Sequence, residues 1–180
     1  MTVEEKKELP KQYKGVWDVI CHYWRIYGGF SAVIKSPYLH ASIVFALLVP
    51  LSKTEDWYDV PLDVLPCVLG FSLAGYALIL ALGDEAFRRL IAGDFPDGKE
   101  SPFMRTNSMF LHFIVVQIIA LLLALNAKAR DLEGGLIAYL SYVAFVYSLL
   151  TALATGVEIF RCSRLFDKFA KHQERQTKDQ

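Results

Sequence analysis

From Val64 to Leu82 the chain reads VLPCVLGFSLAGYALILAL, nineteen residues without a charge, and then runs into Gly83, Asp84 and Glu85. A helix rises about 1.5 Å per residue, so a run of this length matches the roughly 30 Å of hydrocarbon in a bilayer. It predicts a membrane span. Lipid offers no water to satisfy backbone N–H and C=O groups, so a single uncharged run of this length must be helical. Gly70, Ala74, Ala77 and Ala81 recur at steps of four, three and four, which places them on one helix face, and Asp84 and Arg88 continue that face past the apolar run. Small faces let helix backbones approach closely in lipid, so this one is expected to be a helix-packing or oligomer surface.

The remaining charges fall in blocks that separate three further apolar stretches. Apolar residues make up 54% of the 180, and mean hydropathy is +0.31, above the soluble norm. Met109 to Ala127 forms another span, with Gln117 on the same face as Ala120 and Ala124. A mid-membrane amide is expected to point inward and find a partner. Leu136 to Val157 forms the last span, and Ser141, Ala144, Ser148, Thr151, Thr155 and Glu158 step along it by three or four. That stripe suits ordinary interhelical contact; with Gln117, the residues Ser148, Thr151, Thr155 and Glu158 alternatively line a polar path if several copies surround an axis. Tyr139, Val143, Val146, Leu150 and Leu153 lie opposite it, toward lipid or neighbours.

The run from Tyr38 to Leu51 holds fourteen residues, short for a crossing. Ser36 and Pro37 supply an N-cap and a proline at the first helical position. A start near Phe30, with Lys35 reaching back to the interface and Pro50 closing the far end, gives this segment the length of a span; otherwise it is re-entrant or interfacial. Upstream, Trp17, Ile20, Cys21, Trp24 and Tyr27 recur at helical spacing beside Lys14 and Arg25. They predict an aromatic-rich interfacial helix ended by Gly28 and Gly29, the competing reading being a helix packed on the protein's own surface.

Caps and breakers place the remaining boundaries. Ser101-Pro102 restarts a helix after the loop GDFPDGKESP, and Trp57 and Tyr58 are expected to anchor the loop from Ser52 to Asp63 at a membrane surface. Helices are expected to continue beyond the spans through Asp84 to Ala92 and from Ile159 onward, with QERQTKDQ frayed. Asp84 with Arg88 and Glu85 with Arg89 are acid-first pairs at i,i+4. Together with Glu158, Arg161 and Arg164 they form an expected cytosolic charged shelf.

The resulting fold class is an all-α polytopic membrane protein. Four transmembrane helices form an up-down bundle, with an N-terminal interfacial amphipathic helix and cytosolic helix extensions. Residues 1–35 are the N-terminal segment, 36–160 the membrane domain with spans at 36–51, 62–82, 109–127 and 136–157, and 161–180 the C-terminal helix and tail. The segment before the first span, the loop between spans two and three, and the tail hold six, four and six Lys and Arg; the other two loops hold one and two. Sixteen against three puts both termini in the cytosol and requires an even number of crossings.

Function is bounded mainly by exclusion. Zero net charge argues against direct nucleic-acid binding. Cys21, Cys67 and Cys162 are widely spaced, and His22, His40, His112 and His172 fall in four segments, so no metal or cofactor is expected. No nucleophile elbow, phosphate loop or zincin motif occurs; Ser72 between Gly70 and Ala74 lies inside a span, not at a strand-to-helix elbow. The opening residues are too acidic and polar for a secretory signal, so the spans themselves are expected to direct insertion.

Within Pro66 to Leu90, G-F-S-L-A-G-Y and the G-D-E-A-F that follows, with both tails inside, resemble the small four-span membrane components of bacterial anti-phage systems, such as the membrane subunit of Kiwa or accessory membrane proteins of CRISPR loci. The resemblance implies a non-enzymatic, oligomeric protein of the bacterial inner membrane. Such components sense envelope disturbance for a cytosolic partner or depolarise the membrane. The expected partners are therefore the lipid bilayer, further copies of the chain and a cytosolic protein. The expected functions are a sensor or scaffold and, alternatively, a homo-oligomeric channel.

Overall fold

Ser36 and Pro37 break the chain before its first apolar run. The computed structural model describes residues 11–51, 55–81, 91–92 and 100–178. Helix α1 is Lys11–Tyr27, α2 Gly29–Ile34, α3 Pro37–Leu48, α4 Asp59–Ala81, α5 Pro102–Ala129 and α6 Gly135–Lys178. Among the described residues there is no strand. Among the described residues three helices, α4, α5 and α6, are long and apolar enough to cross a membrane.

The local signals act where the sequence places them. Ser101 caps α5, its hydroxyl accepting from the Met104 N–H at 3.2 Å, with Pro102 next in the chain. Gly28 takes φ 106° and Gly29 φ 61°, a left-handed turn that L side chains resist, and α1 ends there. Pro50 holds Val49 extended at φ −94°, ψ 119°, which stops α3.

One expectation needs correction. A helix starting near Phe30 does not run on into the first apolar segment, because Pro37 disfavours helical geometry at Ser36, which is extended at ψ 123°. Helix α3 has 12 residues, about 18 Å of rise. Beyond it Val49 is extended, and the Leu51 N–H bonds back to the Val49 carbonyl at 2.9 Å, so the chain turns tightly at Pro50.

Side-chain contacts fix the directions of the helices. Asp59 meets Lys128, Ser72 meets Gln117 and Gly75 faces Phe110, so α4 and α5 are antiparallel. Tyr147 lies by His112 and Cys162 by Thr106, so α5 and α6 are antiparallel too. The Tyr139 hydroxyl donates to the Val49 carbonyl at 3.4 Å, while Pro37 shares a cavity with Thr151, so α3 runs opposite to α6. Helix α6 has 44 residues, about 66 Å, more than twice the hydrocarbon thickness. It continues to Lys178, past the point where the sequence predicts fraying.

Candidate functional site

The two ends of this helical assembly differ. At one end Leu51, Trp57, Tyr58, Ala127 and Ala138 form a buried knot. Trp57 Nε1 donates to the Leu132 carbonyl at 2.7 Å, tying the loop before α4 to the loop before α6. Tyr58 lies within 2.7 Å of a carboxylate oxygen of both Asp56 and Asp131. Both aspartates are left-handed, at φ 51° and 52°, a conformation that their short polar side chains tolerate. Lys128 closes the edge on Asp59 at 2.8 Å; both are half-exposed, so this pair adds little and fades with salt. Its hydrogen bond to Asp59 holds the Lys128 ammonium above its ordinary range.

Hydrogen bonds to Asp131 and then Asp56 push the Tyr58 phenol above its ordinary value near 10. A raised folded-state value means that the contribution is fully present below the unfolded phenol's pKa and is lost as pH rises through the folded one. Denaturant titrations between pH 8 and 11.5 should therefore show wild-type stability falling above about pH 10. Tyr58→Phe is expected to have a flatter alkaline limb; equal slopes would remove this role from Tyr58.

Between the ends, the buried polar side chains bond to one another or back to helix carbonyls. Gln117, fully buried, donates through Nε2 to Ser72 Oγ at 2.8 Å. Its Oε1 finds no partner among the described residues. The Ser148, Thr151 and Thr155 hydroxyls bond back to carbonyls of α6 itself, to Phe145, Ser148 and Thr151. All three are buried within the protomer, at 1% exposure or less. These three hydroxyls thus face the interior of the chain, and Thr151 and Glu158 also border a cavity of about 290 Å³. Val146, expected opposite the stripe, is also buried, whereas Leu153 is exposed.

The Gln117–Ser72 pair yields a cycle. Gln117→Leu and Ser72→Ala each strand one polar partner, whereas the double variant strands neither. Their coupling is expected to be about 1 kcal/mol by reversible unfolding in mixed micelles; strict additivity would show that the bond contributes nothing.

The small-residue face is turned the other way from its first-named role. Gly70, Ala74, Ala77 and Ala81 are exposed, and α4 packs inward through Pro61, Leu65, Ser72, Gly75 and Ile79. The protomer's own helix packing therefore does not use it, and contact between copies or with lipid remains. Asp84, Glu85, Arg88 and Arg89 of the shelf lie outside the described residues.

At the second end the surface opens. Glu158 is 8% exposed and accepts from Arg161 Nη1 at 2.8 Å, while the Arg161 side chain is 62% exposed. Three cavities meet at Arg161, of about 290, 310 and 320 Å³. The first reaches back to Tyr27, Lys35 and Ser36, and has Tyr147, Thr151 and Glu158 on its α6 wall. The second is lined by Arg161, Arg164, Leu165 and Lys168, and the third adds Glu100 and Arg105.

Helix α1 docks beside this cavity. Tyr27 stacks on His112 with centroids 3.8 Å apart and 17° between planes, and Trp24 packs edge-on against Phe30 at 4.9 Å. Burial, followed by interaction with Tyr147, pushes the Tyr27 phenol up. His112 Nε2 lies 3.3 Å from the Tyr147 hydroxyl, and its Nδ1 has no partner among the described residues. The aromatic stripe of α1 is thus divided: Trp24 and Tyr27 lie against the protein, whereas Trp17 and Ile20 are exposed.

Sequence reasoning missed Ser72 as the partner of Gln117, and Tyr27, Lys35 and Tyr147 as cavity neighbours of Glu158. A signal existed for the first: Ser72 sits at the middle of the expected span 62–82 and Gln117 one residue from the middle of 109–127, so antiparallel neighbours place them at one depth. None existed for the others. Among the described residues no cluster of three or more His, Cys, Asp or Glu is placed to hold a metal. No protein-family model matches the chain, and no match is found among curated proteins or solved structures.

Proposed function

We propose that the chain is a non-enzymatic integral protein of a bacterial inner membrane, an oligomeric sensor or scaffold that recruits or signals to a cytosolic protein at the Arg161 end. In this reading it crosses four times with both termini inside, and copies meet through Gly70, Ala74, Ala77 and Ala81. The observation that carries it is the asymmetry of the ends. One is tied shut by the Trp57 and Tyr58 knot, and the other presents cavities and exposed cations around Arg161. A protein that reports on the membrane needs a fixed end and a readable one.

The fourth crossing is supported by where its helix ends. Helix α3 rises about 18 Å, and the chain turns at Pro50 directly into the knot. Leu51 joins the knot alongside Ala127 and Ala138, near the end of α5 and the start of α6. The charge count, sixteen Lys and Arg against three, supports the same even number. Anti-phage defence is the setting implied by the resemblance of residues 66–90.

Tagged protein purified in mild detergent tests the reading against an Arg161→Glu, Arg164→Glu double variant. A cytosolic protein should accompany the wild type in fixed ratio and be absent from the variant. Wild-type protein that carries no cytosolic companion would end the proposal. The channel reading has the hydroxyl stripe against it, since those side chains face the protomer interior. A planar-bilayer conductance altered by Glu158→Ala would restore it.

A further inference from the structure

We propose that the cavity between the α2–α3 junction and α6 binds the headgroup of an anionic phospholipid, with its phosphate between Lys35 and Arg161. The inference rests on the membrane insertion and orientation given above, and adds a ligand class to them. Lys35 is exposed and has no ion-pair partner among the described residues; Arg161 has Glu158 alone. The rim of the cavity thus carries two cations against one carboxylate, and the adjoining cavity adds Arg164 and Lys168. Pro37, Phe113, Ala154 and Val157 give the same cavity an apolar wall. A phosphate joined to an acyl glycerol matches both surfaces, whereas a free inorganic anion matches one.

Size and depth agree with that ligand. At about 290 Å³ the cavity is at the small end of ligand pockets, enough for a headgroup whose chains extend outside. Lys35 is the last charge before the first apolar run and Arg161 the first cation after the last one, so both stand at headgroup level. Basic pockets between membrane helices on the cytosolic side are the sort of site that anionic lipids fill, and that leaflet is the anionic one.

Glu158 is the built-in competitor. Its carboxylate already holds Arg161 through Nη1, so an arriving phosphate shares the guanidinium with it or competes for it. The two carbon-linked oxygens of Glu158 offer one charge, whereas a phosphate monoester offers more charge and a third acceptor oxygen. Neutralising Glu158 frees Arg161 and removes a buried repulsion in one step.

The test uses the full chain in an uncharged detergent, titrated calorimetrically with dihexanoyl phosphatidic acid. Dihexanoyl phosphatidylcholine, inorganic phosphate and hexaglutamate are the comparison probes. Phosphatidic acid should bind saturably, Lys35→Ala and Arg161→Ala should each weaken it about tenfold, and Glu158→Gln should tighten it several-fold. Lys171→Ala, which removes a cation paired with Asp167 further along the same helix, should change it less than about twofold. Lys35 is exposed at a helix junction, so its variant keeps the test sound if Arg161→Ala fails to fold.

Equal binding of phosphatidylcholine, inorganic phosphate or hexaglutamate would overturn the assignment in favour of an apolar slot, a plain anion site or a peptide groove. An equal loss in Lys171→Ala would reduce it to diffuse charge. This readout needs no cytosolic partner. Lipid binding without recruitment therefore removes the sensor reading alone, and recruitment without lipid binding removes this inference alone.

Discussion

Gly75→Leu is expected to destabilise the protomer by about 3 kcal/mol, whereas Gly70→Leu, five residues earlier on the same helix, should leave it unchanged. A Cβ on Gly75 would stand 3.2 Å from Ile159 Cδ1, 3.5 Å from Phe110 Cε1 and 3.6 Å from Thr155 Cγ2. Phe110 is fully buried and cannot withdraw. The three further carbons of leucine would then have to force α4 away from both α5 and α6. Gly75→Ala is a milder case: its closest contact is the flexible tip of Ile159, so it should lie within about 0.5 kcal/mol of wild type.

At Gly70 a Cβ meets nothing within 4 Å. Unfolding in mixed micelles followed by tryptophan fluorescence reads protomer stability, and cross-linking or mass photometry in detergent reads copy number. Gly70→Leu should alter the second measurement and spare the first. Equal destabilisation by both leucines would show that α4 packs through the wrong side in this account.

Trp57→Ala is the second large effect, about 4 kcal/mol. The indole is 2% exposed, crosses edge-on to Tyr142 at 5.8 Å and belongs to the cluster of Leu51, Ala127 and Ala138. Its N–H donates to the Leu132 carbonyl, 75 residues away. Removing it opens a cavity and leaves that carbonyl without its donor. Trp57→Phe separates the two contributions, since it retains much of the ring and loses the hydrogen bond, for about 1 kcal/mol. Denaturation of the three proteins in one detergent gives the comparison, and an alanine variant within about 1 kcal/mol of wild type would show that the knot does not fasten the loops.

Both predictions depend on facing, and facing is what the sequence conveyed poorly. In water a helix announces its buried side by keeping polar residues off it. In lipid the outer side is as apolar as the inner one, and size and hydrogen bonding discriminate instead. Gly70, Ala74, Ala77 and Ala81 therefore mark a helix-packing or oligomer face of α4 without saying which. The packed side uses Leu65, Ser72, Gly75 and Ile79, mixed in size and chemistry. Gln117 faces inward, as expected of an amide that has few alternatives in lipid. Its partner lay in another helix, and pairing across helices leaves no mark in either segment alone.

What the chain's order of residues determined by itself was local. Uncharged length set the three long helices, Ser101-Pro102 set the start of α5, the glycine pair ended α1, and Pro50 ended α3. Each of these is a free-energy difference among neighbours within a few residues. The tertiary structure alone decided that α1 lies against α5 and α3 against α6, that Ser148, Thr151 and Thr155 face inward, and that Tyr27, Lys35, Glu158 and Arg161 border one cavity. Those outcomes depend on groups far apart in the chain, where the deciding quantity is which surfaces fill space together, and no stretch of sequence carries that quantity alone.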